Sequence, residues 1–152
     1  MAHVFPNSGL SALLGTWPRS AVVPGVMYVG MFASQTSGTV PDRTAYGGAT
    51  PGGWVETPMY TAQRKVISAA QWGVQTVDGA GVSVTGLQVE FATATANAGS
   101  ANGWFLAAKP SSVAGDDIYA FANFDDLTQL TINSGDVVRV TPKLRFHISA
   151  QA

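Results

Sequence analysis

A chain of 152 residues is one ordinary domain, long enough to bury a core. Charged residues make up 11% of it, against about 25% in a typical soluble domain, and the net charge is −1. So few charges exclude nucleic-acid binding driven by electrostatics, and the absence of cysteine excludes disulfides and thiolate-held metal.

Apolar residues are 46% of the chain, with 17 glycines and 8 prolines. Aromatic residues at 10% argue against disorder. A domain this poor in charge has little to keep copies apart in solution, which suits a surface spent on protein–protein contact. Residues 1–76 carry four bases and two acids, and residues 77–152 carry four bases and seven acids. Neither half is basic enough for a nucleic-acid partner. Leu10–Leu14 is too short for a signal peptide, and no run reaches the roughly 18 apolar residues of a membrane span. The expectation is a protein that stays in the cytoplasm or is assembled there into something larger.

In chain order, residues 1–24 read as an N-terminal arm ahead of a domain over 25–152. Asn7 or Ser8 is placed to cap a short helix over Leu10–Leu14 that Gly15 ends. Trp17-Pro18 follows, and Trp17 either packs on its own domain or anchors on a neighbour. Val26–Ala33 is a continuous apolar run and predicts a strand buried on both faces. Ser34–Pro58 is rich in Gly, Thr and Pro, without periodicity, and predicts one long loop. Strands are predicted at Tyr60–Ile67, at Trp72–Val77 and, after the Asp78-Gly79 turn, at Val82–Thr85. Apolar positions are even-numbered at Val82 and Val84 but odd-numbered at Leu87, Val89 and Phe91, so a bulge or corner is predicted at Gly86.

Ala92–Asn102 predicts a small-residue loop, and Gly103–Ala108 a strand. Ile118–Phe124 predicts another, with Ile118, Ala120, Ala122 and Phe124 on one face. From Val138 the alternation is strict: Val138, Val140, Pro142, Leu144, Phe146 and Ile148 on one side, Arg139, Thr141, Lys143, Arg145 and His147 on the other. Either one strand bent at Pro142 or two collinear strands fits. Turn residues Asn133–Asp136 make Leu127–Ile132 the expected hairpin partner. About eight short strands between turn signals predict an all-β fold: a single antiparallel β-sandwich or jelly-roll-like domain, with the extended arm and the long loop attached.

Chemistry is sparse. His3 and His147 lie at opposite ends of the chain, and no nucleophile elbow, Walker motif or zinc spacing occurs. Asp116-Asp117 and Asp125-Asp126 bracket one strand, but their spacing matches no calcium loop, so solvated loop ends are the simpler reading. Arg139, Lys143, Arg145 and His147 form a basic stripe that either meets an acidic partner or pairs with the chain's own acids. The expectation is no enzyme, no cofactor and no metal.

Several stretches together resemble small structural proteins of tailed bacteriophages, found on capsids or in tails and fibres. They are V-M-Y-V-G-M-F at Val26–Phe32, the long Gly/Thr/Pro loop, Glu56 followed by Tyr60 and Arg64, V-x-F at Val89–Phe91, G-W-F-L at Gly103–Leu106, and N-S-G-D-V-V-R-V-T-P-K-L at Asn133–Leu144. The likeness is diffuse over residues 22–148, and Gly47–Gly53 stretches the segment before Glu56 relative to the pattern. The resemblance implies a capsid decoration (cement) protein, a β-sandwich that self-associates as a homotrimer and binds the major capsid protein or another virion protein. Location in the virion, after assembly in the host cytoplasm, follows from it, with no nucleic acid and no membrane as partner. A tail or fibre component, or a glycan-binding module using exposed tryptophans, are the alternatives. The interaction residues expected on the arm and loop are Phe5, Leu13, Leu14, Trp17, Tyr46 and Trp54.

Overall fold

The computed structural model describes residues 3–4, 25–34, 54–57, 64–78, 81–96, 99–111, 118–124 and 129–147. Among them every regular element is a strand except one 3-10 turn at Ala69–Gln71. In chain order the strands are β1 (His3–Val4), β2 (Val26–Ser34), β3 (Trp54–Glu56), β4 (Lys65–Ser68), β5 (Thr76–Asp78), β6 (Gly81–Thr85), β7 (Val89–Glu90), β8 (Gly99–Ala101), β9 (Gly103–Ala107), β10 (Ile118–Asn123), β11 (Leu130–Ile132), β12 (Arg139–Val140) and β13 (Lys143–His147). All pair antiparallel.

The largest sheet runs β1-β10-β9-β2-β3, with β4 also on β2. Its centre is β2 and β9, the two most continuously apolar stretches of the chain. A strand buried on both faces needs no polar alternation. Val29, Met31 and Phe32 of β2 and all of Trp104–Ala107 are buried, as the run at Val26–Ala33 predicts. One face presents Val29, Met31, Trp104, Leu106 and Ala122 to the main core. The opposite face carries a second cluster of Phe32, Phe105, Ala107, Ile118 and Phe121. There the Phe32 and Phe121 rings meet edge to face at 5.4 Å, and Phe105 tilts onto Phe121 at 5.9 Å.

β10 departs from its expected pattern. Ile118 pairs with Ala107 but Ala120 with Leu106, so Tyr119 is an extra residue. Such a bulge moves everything before it to the other face. Ile118 therefore joins the phenylalanine cluster, while Ala122 and Phe124 pack on the main core.

The second large feature is a two-stranded ribbon. β6 pairs with β13 and β7 with β12. Phe91 N–H donates to Val138 C=O (2.9 Å), and Ala94 N–H to Asp136 C=O (2.9 Å), which carries the ribbon on to the Asn133–Asp136 turn. Gly135 takes φ +95° there, the left-handed conformation a glycine permits. Between the Thr85–Lys143 and Val89–Val140 pairs one strand has Gly86, Leu87 and Gln88, and the other only Thr141 and Pro142. This is the bulge that the apolar phase shift predicts at Gly86. Pro142 has no N–H for the ladder but its carbonyl accepts from Gly86 N–H at 2.7 Å. A Cβ on residue 86 would stand 2.6 Å from Ile67 Cδ1 and 2.9 Å from Pro142 Cγ, so any larger residue must push these side chains aside. Residues 138–147 accordingly hold two strands, β12 and β13, with different partners. β5 borders β6 on its other edge.

The main core is shared between sheet and ribbon: Val89, Phe91, Val138, Val140 and Ile132 pack with Val29, Met31, Trp104 and Leu106. The expected hairpin between Leu127–Ile132 and the last strand does not form. β11 pairs with β8, while the strand after the turn pairs with residues 89–94. This long-range choice places Val89 and Phe91 beside Val138 and Val140 in one core, which a local hairpin would not do. Three further expectations are corrected. β8 lies inside the stretch expected as a loop at Ala92–Asn102. Ser34 and Trp54–Glu56 are strand rather than loop. β4 at Lys65–Ser68 overlaps the end of the strand expected over Tyr60–Ile67, whose residues 60–63 lie outside the described residues; β5 begins only at Thr76, and between β4 and β5 Ser68 N–H donates to Gln71 Oε1 (2.8 Å) in a turn. The expected helix over Leu10–Leu14 lies outside the described residues.

The register gives a stability test. Val140 is 3% exposed, whereas Arg139 is exposed and pairs with an equally exposed Glu90 (2.7 Å). In urea unfolding Val140→Ala costs about 2 kcal/mol, and Arg139→Ala stays within about 0.5 kcal/mol. The reverse order would mean a register wrong by one residue.

Candidate interaction surface

One end of the large sheet is locked by an ion pair. β4 and β3 share one edge of β2, β4 on Val26–Val29 and β3 on Phe32–Ser34. Between them Thr57 N–H donates to Met31 C=O (2.9 Å), and Thr57 Oγ1 donates to Ser100 C=O (3.1 Å). Arg64, just before β4, grips Glu56 at the end of β3 in a two-point fork: Nε to Oε1 at 3.0 Å and Nη2 to Oε2 at 2.9 Å. Its Nη1 donates to Lys109 C=O (3.0 Å), and its backbone N–H to Pro110 C=O (3.1 Å). The guanidinium also lies 4.8 Å above the Phe105 ring. The Arg64 side chain is 1% exposed and that of Glu56 23%. A planar, always-charged fork with an aromatic floor is the arrangement arginine tolerates in a dry place. Glu56 and Arg64 therefore hold the exit of β9 against β3. Tyr60, quoted with them in the sequence pattern, lies outside the described residues.

A different region exposes apolar side chains. Gly73 N–H donates to Thr85 C=O (2.8 Å), and Leu87 N–H to Gln71 C=O (2.7 Å), so residues 71–74 run beside the bulge at residues 85–87. Here Val74 is 91% exposed and Leu87 61%, and farther along, in β5, Val77 is 77% exposed. Leu87, expected in the core by alternation, is turned outward by the bulge. A valine or leucine standing that far into water gains nothing for the isolated fold. Large apolar side chains exposed to this degree suit a surface used for contact.

Of the six residues expected to make contacts, Phe5, Leu13, Leu14, Trp17 and Tyr46 lie outside the described residues. For Trp54 only the backbone, in β3 opposite Ser34, is described. Trp104 is 2% exposed and Trp72 half-buried, so Trp104 presents no face on which a sugar could stack. In the basic stripe Arg139 pairs with the chain's own Glu90, Lys143 is exposed and Arg145 half-buried. Asp116, Asp117, Asp125 and Asp126 lie outside the described residues. No group of three or more His, Cys, Asp or Glu side chains gathers among those described. A shallow cleft of about 260 Å³ lies between Leu130–Ile132 and Asp136–Arg139. The Asp136 carboxylate there already accepts from Asn133 N–H (2.8 Å), and Arg139 holds Glu90. No helix among the described residues is long and apolar enough to cross a membrane.

The chain matches no family model, no curated protein and no solved structure.

Proposed function

We propose that the chain is a structural virion protein of a tailed bacteriophage, a capsid decoration protein that self-associates and stabilises the head by bridging capsid subunits. The observation that carries this reading is the exposure of Val74, Val77 and Leu87, large apolar side chains far into water on a chain with only 11% charged residues. Such a surface lowers its free energy by being covered, and a repeating shell covers it many times over. The sequence resemblance supplies the kind of shell and the three-fold symmetry. In this reading the sheet and the ribbon close as a β-sandwich, and the arm at residues 1–24 reaches adjacent capsid subunits. Decoration then stabilises the shell by mass action, since only the assembled form binds.

The test is decoration of particles that lack the protein. The full chain is expected to bind and to raise the temperature at which the particles open. A chain lacking residues 1–20, and separately a Val74→Ser/Val77→Ser/Leu87→Ser variant, are expected to bind at least tenfold more weakly. If both decorate and stabilise as well as the full chain, neither surface makes the contact and the reading fails.

A further inference from the structure

β5 is the outer strand of the three-stranded sheet β13-β6-β5. The chain beside β6 runs longer than β5 alone. Trp72 bridges to Gly86, and Gly73 N–H donates to Thr85 C=O (2.8 Å), so residues 72–78 follow residues 81–86 throughout. Residues 73–77 are all exposed, Val77 to 77%. Edge strands are ordinarily blunted by charge or proline. Residues 72–77 contain no Asp, Glu, Lys, Arg or Pro.

The bonding phase of β6 decides which residue of β5 faces outward. Successive residues of an antiparallel strand send their backbone groups to opposite sides. Gly86 N–H donates to Pro142 C=O (2.7 Å) on the β13 side, and Thr85 C=O accepts from Gly73 N–H on the β5 side. Val84 and Val82 therefore bond toward β13, and Ser83 and Gly81 toward β5. Thr76 and Asp78, the register partners of Ser83 and Gly81, bond inward. Val77, opposite Val82, turns its N–H and C=O off the sheet, and it is the one residue of β5 that does so. The register also sets Val77, Val82 and Phe146 level in one row across the three strands.

We propose that the β5 edge pairs with the β5 edge of a second copy of this chain, antiparallel, about a two-fold axis at Val77. Each Val77 N–H then donates to the other's C=O, the reciprocal exchange of a hydrogen-bonded antiparallel pair. The apolar row of Val77, Val82 and Phe146 continues unbroken over six strands. Thr76 falls opposite Asp78 of the second copy, so the two acids do not face each other. An edge this short buries far less than the roughly 1,200 Å² of a stable complex, so the pairing is weak in dilute solution and fills where copies are held close. The contact is two-fold and does not rest on the three-fold association proposed above.

The chain has no native cysteine, so Val77→Cys and Val74→Cys are made as single full-length variants. Both positions are exposed, and neither substitution disturbs the core. A hydrogen-bonded pair sets its Cα atoms about 5.5 Å apart, within disulfide range. The two-fold register puts position 77 against itself but position 74 away from its own copy. Under mild oxidation Val77→Cys is expected to form the covalent dimer at least tenfold faster than Val74→Cys, although Val74 is the more exposed. Equal rates are those of random collision and overturn the pairing. Val77→Lys sets two like charges face to face, and Val77→Pro removes the outward donor while leaving the β5–β6 bonds in place. Each is expected to weaken the dimer step in sedimentation equilibrium at least tenfold, with the urea midpoint unchanged. If both variants fold and associate as the parent does, the pairing fails and the proposed function stands. If Val77→Cys couples no faster than Val74→Cys while Val77→Lys weakens binding to particles, the edge takes a strand of the shell protein, which also overturns self-pairing.

Discussion

Glu56→Ala is expected to lower the unfolding free energy by about 3–5 kcal/mol, the usual cost of removing one partner from a buried ion pair. The reason is asymmetry. The Arg64 side chain is 1% exposed, so taking away the Glu56 carboxylate removes the two-point contact from a cation that meets little water. Glu90→Ala removes the matching acid of the Arg139 pair, where both side chains are more than half exposed, and is expected to cost less than about 1 kcal/mol. Arg64→Lys is expected to be costly as well, because an ammonium cannot reproduce the two-point contact with Glu56 or spread flat over Phe105. Chemical denaturation of the three variants decides the matter. If Glu56→Ala and Glu90→Ala lose the same small amount, the Arg64 clamp contributes nothing special to holding β3 against the β9 exit.

That clamp also shows where sequence reading stops. Glu56 and Arg64 enter the sequence reading only with Tyr60 as one stretch of the resemblance, and nothing in their spacing says that they fork together over a ring forty residues on. Individual strands were legible because alternation and apolar runs are local signals. β2, β9 and the Val138–Leu144 register follow from them, and the Gly86 bulge was readable as a change of phase. The local return of β6 on β5 after Asp78-Gly79 is legible, but the long-range partners are not. Asn133–Asp136 does turn the chain, yet the strands flanking it go to β8 and to residues 89–94, because burial of Phe91 outweighs the proximity of Leu127–Ile132. Tyr119 could not be seen as an extra residue, since I-Y-A-F-A-N alternates acceptably in either phase. Leu87 was misplaced for a related reason: the odd-numbered pattern that fits Val89 and Phe91 ignores the outward turn at a bulge. Val74 and Val77 carry only a weak sequence signal, two valines among Gly, Gln and Thr, with Val77 alone on the short strand β5.

Two glycines of the central strands give the second large effect, and they are expected to differ. Gly103→Ala would place its Cβ 2.1 Å from the Ala122 carbonyl oxygen and 2.8 Å from the Phe32 ring. The nearer obstacle is backbone. To relieve it β9 and β10 must separate, which strains the ladder and the packing of Trp104, Phe121 and Ala122 together. Overpacking ordinarily costs about 1–3 kcal/mol, and a clash with rigid backbone belongs at or above the top of that range. Gly30→Ala is also crowded, but the three nearest atoms, led by Phe105 Cζ, all belong to one ring. A ring can tilt, though this one lies under Arg64 and against Phe121, so its freedom is limited. The expected order in urea unfolding is Gly103→Ala worst, with a loss of about 3 kcal/mol or more, and Gly30→Ala milder. Pairing Gly30→Ala with Phe105→Leu separates the two causes. If the smaller side chain recovers part of the loss, the ring was the obstacle. Equal losses at the two glycines, unchanged by Phe105→Leu, would mean that the spacing of β2, β9 and β10 is not set by these contacts.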